Sequence, residues 1–119
     1  MTDPAARDPR RVVEDHLAAV LGGDPAAMAA DYAPGAVLVR HDATYDGAAV
    51  IAEYFTSVPR RLGGGVVVFG ERSQRRNGSI SVRWRIEGGP GDGTSGCDTF
   101  TVAGGFIVHQ TVALDDADF

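Results

Sequence analysis

Apolar residues recur at a helical period through the first half of the chain and at a period of two through the second. Asp8-Pro9 supplies a side-chain cap and a proline suited to the first helical position. Val13, His16, Leu17 and Val20 then form one stripe, and Gly22-Gly23 ends it. Asp24-Pro25 repeats the start signal, with Met28 and Tyr32 on one face before "APG" stops the second helix. Residues 36–40 read as a short strand. A third helix follows Asp46-Gly47, turns Val50, Ile51, Tyr54, Phe55 and Val58 inward, and stops before Pro59. After "RRLGGG" the period changes. "VVVFGERS" and "SISVRWRIE" flank Asn77-Gly78, a strong hairpin signal, and "CDTFTV" and "FIVHQTVAL" flank Ala103-Gly104-Gly105. Helices followed by antiparallel strands predict an α+β fold, with the helices on one face of a curved antiparallel sheet.

Alternation within the strands assigns faces. Val82, Trp84 and Ile86 point inward, and Ser81, Arg83 and Arg85 outward. In the last strand Phe106, Val108, Gln110, Val112 and Leu114 take the inner side, and Ile107, His109 and Thr111 the outer. Asp98 is in phase with Phe100 and Val102, so it faces the interior, while Cys97 faces out. Arg40 shares a face with Leu38 and enters the interior with it. The inward polar set is therefore His16, Tyr32, Arg40, Asp98 and Gln110. Each alone fits an ordinary satisfied core residue. Together they predict a partly wet cavity, because a buried group left unpaired costs about 1–3 kcal/mol.

The 119 residues form one expected domain, ordered from about 8 to 114, with no repeat and a frayed "DDADF" tail. No apolar run has bilayer length, Met1 to Arg10 carries no apolar leader, and the lone Cys97 has no disulfide partner. These features predict a cytoplasmic protein. The net charge is −5, and all 11 basic residues are arginines. Such a balance argues against nucleic-acid and membrane partners. Arg60, Arg61, Arg72, Arg75, Arg76, Arg83 and Arg85 read as solvated faces. "GDGTSG" satisfies G-x-G-x-x-G but joins two strands with no helix after it, so it reads as a mobile loop at a sheet edge or cavity mouth, not a dinucleotide site. His16, His41 and His109 sit on different elements without paired ligand spacing, so neither a metal nor a cofactor is expected.

The segments "GDPAAMAADYAPGAVL", "YDGAAVIAEYF" and "GCDTFTVAGGFIVHQTV" resemble the nuclear transport factor 2-like superfamily, in its SnoaL-like and ketosteroid-isomerase-like group. Order and spacing agree from about Val12 to Leu114. The resemblance implies a cone-shaped, strongly bent sheet closed by three helices around a deep apolar pocket, usually in a homodimer. It also implies positions. The isomerase's catalytic aspartate base falls on Arg40, eight residues after Tyr32. Its oxyanion-hole tyrosine falls on His16, a further pocket tyrosine on Phe55, and its protonated aspartic acid on Asp98. The base has become a cation.

Two functions follow as expectations. One is an isomerase-, cyclase- or hydrolase-type enzyme acting on an apolar, oxygenated and at most weakly anionic small molecule. His16 would be its acid or base, near-neutral in pKa; Asp98 would orient a proton, ionised beside Arg40; and Arg40 would stabilise negative charge. Tyr32 and Gln110 would position the ligand against Phe55, Trp84 and Phe100. The other is a non-catalytic ligand-binding or dimerisation module with Arg40–Asp98 as a structural pair. In either case the outer strand face, Ser81, Arg83, Arg85, Ile107, His109 and Thr111, suits a two-fold contact between copies.

Overall fold

The computed structural model describes residues 7–115. Asp8 caps α1 (Pro9–Gly22) by accepting from the Arg11 N–H, and Gly23 closes it in the left-handed conformation at φ 72°. Asp24 caps α2 (Pro25–Ala29) in the same way. The remaining elements are β1 (Tyr32–Val39), β2 (Thr44–Asp46), α3 (Ala48–Leu62), β3 (Val66–Gln74), β4 (Ile80–Glu87), β5 (Ser95–Ala103) and β6 (Phe106–Leu114). One curved, unclosed sheet runs β2-β1-β6-β5-β4-β3. The expected α+β architecture is observed, with one parallel pairing, β1 on β6, that makes the sheet mixed. The core joins Val12, Val13 and Leu17 of α1, Met28 of α2, and Ile51 and Phe55 of α3 to Leu38, Val82, Ile86 and Phe100 of the sheet.

Several boundaries differ from the sequence expectation, each for a visible reason. The second helix ends at Ala29, and Tyr32 opens a strand instead of sharing a helical face with Met28. Tyr32 pairs with Ile107, whose N–H donates to the Asp31 carbonyl at 2.8 Å, so sheet pairing overrides the four-residue spacing. The short β2 strand, absent from the expectation, folds back on β1 after a tight turn from Arg40 to Ala43. α3 continues through Pro59 to Leu62. Proline's fixed φ is helical and its missing N–H removes one bond, while the Gly63 N–H closes the end on Pro59 and Arg60 carbonyls. Val50 lies at the edge of the α3 stripe and is 41% exposed, not inward.

Two bulges redirect faces. Thr101 pairs with His109 but Val102 with Ile107, so one extra β6 residue is inserted and Ile107 turns into the core at 0% exposure. It does not belong to the outer face. A second shift, between Phe69 and Arg72 of β3, turns Arg72 to the side of α1, where it bonds Glu14 at 2.9 Å. Ser81 does alternate outward, yet it is covered and shares a 3.1 Å hydrogen bond with Thr99. The "GDGTSG" segment is a tied turn: Gly93 N–H donates to the Ile86 carbonyl and Ile86 N–H to that of Thr94. Beside it, Gly65 packs so closely on Gly88 that a Cβ there would lie 2.3 Å from a carbonyl oxygen. Of the tail only Asp115 is described. It accepts from Arg83 and Ser95; residues 116–119, for which fraying is expected, lie outside the described part.

Candidate functional site

The sheet's inner face and helices α1 and α3 line a pocket that opens to solvent. Its wall is mostly apolar: Leu17 and Val20 from α1, Phe55, Val58 and Leu62 from α3, and Val67, Phe69, Ile86 and Val112 from the sheet. Six groups bring polar chemistry to it: His16, Arg40, Tyr54, Arg61, Asp98 and Gln110, with the Trp84 indole beside them. Leu38 and Gln110 are register partners on β1 and β6, and Phe100 is opposite Gln110 on β5. That register delivers Gln110 and Asp98 to the same face as Arg40.

A hydrogen-bond chain from Trp84 through Asp98 and Gln110 to Tyr32 crosses this wall, and His16 abuts its end. Trp84 Nε1 donates to Asp98 Oδ1 at 2.9 Å, and Gln110 Nε2 donates to Asp98 Oδ2 at 3.1 Å. The Tyr32 hydroxyl donates to Gln110 Oε1 and stands 3.4 Å from His16 Nε2. His16 Nδ1 lies 2.9 Å from the Met28 carbonyl. A carbonyl only accepts, so Nδ1 carries the proton and Nε2 has only a lone pair. The single Tyr32 proton goes to Gln110, so the 3.4 Å approach of Tyr32 to His16 is a contact and not a hydrogen bond. The His16 ring also packs against Phe55 and Phe100, with centroids 5.4 and 5.6 Å away.

These surroundings reverse the expected division of labour. Burial pushes the His16 imidazole down to about 4, only partly opposed by its bond to Met28. His16 is thus neutral at physiological pH and does not titrate near neutrality. Asp98 keeps some surface open to the pocket. Burial nonetheless raises its carboxyl to about 7, against the Trp84 and Gln110 hydrogen bonds and the charge of Arg40. Burial and the proximity of Asp98 push the Tyr32 phenol up, which keeps it a donor.

Arg40 does point inward, and its side chain is 2% exposed. Its expected ion pair with Asp98 is not formed. Nε instead meets Asp42 Oδ1 at 3.2 Å, and Nη1 donates to the Tyr54 hydroxyl at 2.9 Å. Asp42 sits just two residues on, at the tight β1–β2 turn, so the guanidinium is tethered before it can reach Asp98. Among the described residues, Nη2 is buried with no hydrogen-bond partner.

Of the residues singled out from the sequence, His16, Arg40, Asp98, Phe55, Trp84 and Gln110 line the pocket. Tyr32 and Phe100 do not: Tyr32 stands behind the wall as a link in the chain, and Phe100 is core at 0% exposure. The sequence reading missed Tyr54 as a polar group and placed Arg61 on a solvated face. The guanidinium of Arg61 lies 5.5 Å from the Tyr54 ring centroid. The signal was available, since Tyr54, Val58 and Arg61 continue one α3 stripe once the helix is carried through Pro59.

Comparison with known proteins follows from this architecture. The search of curated proteins finds no match. Among solved structures, a provisionally named polyketide cyclase from Sinorhizobium meliloti is 20% identical with a TM-score of 0.75, over 93% of this chain and 99% of its own. A provisionally named isomerase of the SnoaL-like family from Agrobacterium tumefaciens is 20% identical with a TM-score of 0.73, over 90% and 97% of the two chains. SalBIII, an epoxide hydrolase/cyclase-like enzyme of pyran ring formation in salinomycin, is 20% identical with a TM-score of 0.72, over 88% of each chain. At these identities the likeness is one of fold. The SnoaL-like domain family matches residues 13–110 directly, and the chain belongs to that family, within the nuclear transport factor 2-like superfamily.

Proposed function

We propose that the pocket is the active site of an isomerase-, cyclase- or hydrolase-type enzyme that moves a proton on a small, apolar, oxygen-bearing substrate. Asp98 is the proton-transferring group. The observation that carries this reading is a carboxyl with a pKa near 7 on the wall of an apolar pocket that also holds a cation with a spare donor. Such a carboxyl is populated in both protonation states at neutral pH, so it can take a proton and return it. Trp84 and Gln110 fix its orientation, and the Arg40 guanidinium supplies positive charge where an oxyanion or alkoxide develops. His16 acts as a positioning residue by packing edge-on against Tyr32, because its Nδ1 proton is held by Met28. The cyclase, isomerase and epoxide hydrolase/cyclase names of its structural neighbours are consistent with that chemistry.

The test is proton exchange and ring chemistry on a panel of ketones, enones and hydroxy-epoxides in deuterated water, followed by NMR. Turnover is expected in the wild type and a loss of about 100-fold or more in Asp98→Asn. Equal activity in that variant would overturn the assignment, and the same loss in His16→Gln alone would return the role to His16. Compounds that bind without turnover would establish a binding module instead.

We further propose a homodimer through the outer face of β4–β6, where Arg83, Arg85, His109 and Thr111 are exposed. Ile107 is excluded from that contact. Light scattering at micromolar concentration should give twice the chain mass, and a monomer would remove the proposal.

A further inference from the structure

Among the described residues, the pocket holds one buried cationic donor that none of its own groups takes. Arg40 has five N–H donors in a planar fork, and the residue is nearly sealed from solvent. Nε and Nη1 are used, but Nη2 has no acceptor among the described residues. Asp42, its one carboxylate partner, is 49% exposed and sits on the Nε side. Asp98, the carboxyl inside the pocket, bonds Trp84 and Gln110 instead. The Tyr54 hydroxyl accepts from Arg40 Nη1, which leaves its own proton to be donated elsewhere. Two guanidiniums, those of Arg40 and Arg61, lie 5.6 and 5.5 Å from the Tyr54 ring centroid. An unpaired buried N–H beside a free O–H is the donor pair that two carboxylate oxygens would take.

The rest of the cavity restricts what that carboxylate can be attached to. Phe55, Val58, Leu62 and Phe69 form apolar walls, and they offer no donors to the further oxygens of a phosphate or a sugar. A second cavity shares Val20, Val58, Leu62 and Val67 with the first and continues to Leu21 and Val66, which are 63% and 56% exposed. Exposed leucine and valine beside an apolar pocket suit a hydrocarbon chain that outgrows it. Resting on the reading of this pocket as a substrate site, we propose that its ligand is an amphipathic carboxylic acid. Arg40 Nη2 and the Tyr54 hydroxyl receive its carboxylate, and its chain runs past Leu62 and Val67 toward Leu21 and Val66.

The experiment measures binding of octanoate, decanoate, methyl octanoate and octanol by calorimetry and by the emission of Trp84, the single tryptophan. Octanoate is expected to bind at least about tenfold more tightly than its methyl ester, and decanoate more tightly than octanoate. Arg40→Met should bring the acid down to the affinity of the ester and leave the ester unchanged. Tyr54→Phe, which keeps the ring, should weaken the acid several-fold, so the claim does not depend on whether Arg40→Met folds. Equal affinity of acid and ester in the wild type, no binding of either, or an undiminished acid preference in Arg40→Met with a native melting curve would each overturn the proposal. Arg40-dependent acid binding without Asp98-dependent turnover would remove catalysis and keep this site. Asp98-dependent turnover of neutral compounds without acid preference would do the reverse.

Discussion

Asp98 and His16 draw stability in opposite directions as pH changes, and removing either one exposes the other. Asp98 titrates near 7 in the folded protein, against 3.8 as its ordinary value. Between those values the native protein holds a proton that the unfolded chain has released, so stability falls as pH rises. At 1.36 kcal/mol per pH unit, the contribution is roughly 4 kcal/mol, complete below pH 3.8 and lost by about pH 7. His16 is the mirror case, about 4 when folded against 6.5 otherwise. There the unfolded chain takes up the proton that the native state refuses. Its contribution, roughly 3 kcal/mol, is present above pH 6.5 and lost as pH falls toward 4. In the wild type the two slopes nearly cancel across that interval. Asp98→Asn deletes only the first. Relative to the wild type, the variant should therefore gain roughly 4 kcal/mol between about pH 4 and pH 7. Urea unfolding followed by far-ultraviolet circular dichroism reads this difference, and pH effects common to both proteins drop out. His16→Gln should show the opposite trend. A difference that stays constant across the interval would mean that Asp98 titrates like a solvated carboxyl. A difference of opposite sign would mean that it is held ionised, as an ion pair with Arg40 would hold it. Either result refutes the reasoning and, with it, Asp98 as a near-neutral acid or base.

Gly96→Ala should cost about 1–3 kcal/mol and shift the Trp84 emission, because the added Cβ would lie 2.5 Å from Trp84 Cζ2 and 2.5 Å from the Ala113 carbonyl oxygen. An unchanged melting temperature would show that β5 yields freely beneath the indole. Arg7→Ala should cost about 2–3 kcal/mol, since Arg7 donates to Asp31 at 2.6 Å, to Asp15 and to the Gly105 carbonyl, and its loss leaves the buried Asp31 carboxylate without that cation. Adding Asp31→Asn should recover part of that loss in thermal melts, and no recovery would point to the Gly105 contact instead.

Local rules decided much of this protein before any tertiary contact. Asp8-Pro9 and Asp24-Pro25 start helices because a capping carboxylate and a fixed φ act within four residues. The hairpin turns at Asn77-Gly78 and Gly104-Gly105 need the positive φ that those glycines supply. Alternation alone was enough to send Leu38, Arg40, Trp84, Asp98 and Gln110 to one side of the sheet. Where the period broke, sequence gave no warning. The bulge that turns Ile107 inward and the end of α2 at Ala29 come from pairing partners far along the chain. The roles within the pocket were also tertiary. His16 and Asp98 were both legible as inward polar groups, but a pKa depends on how much protein surrounds a group and which donor reaches it. Packing on Phe55 and Phe100 and the bond to Met28 keep His16 neutral. Tethering to Asp42 and Tyr54 holds Arg40 away from hydrogen bonding to Asp98. Residue type and spacing set which face each group takes, because those depend on neighbours in the chain; charge state and partner depend on neighbours in space.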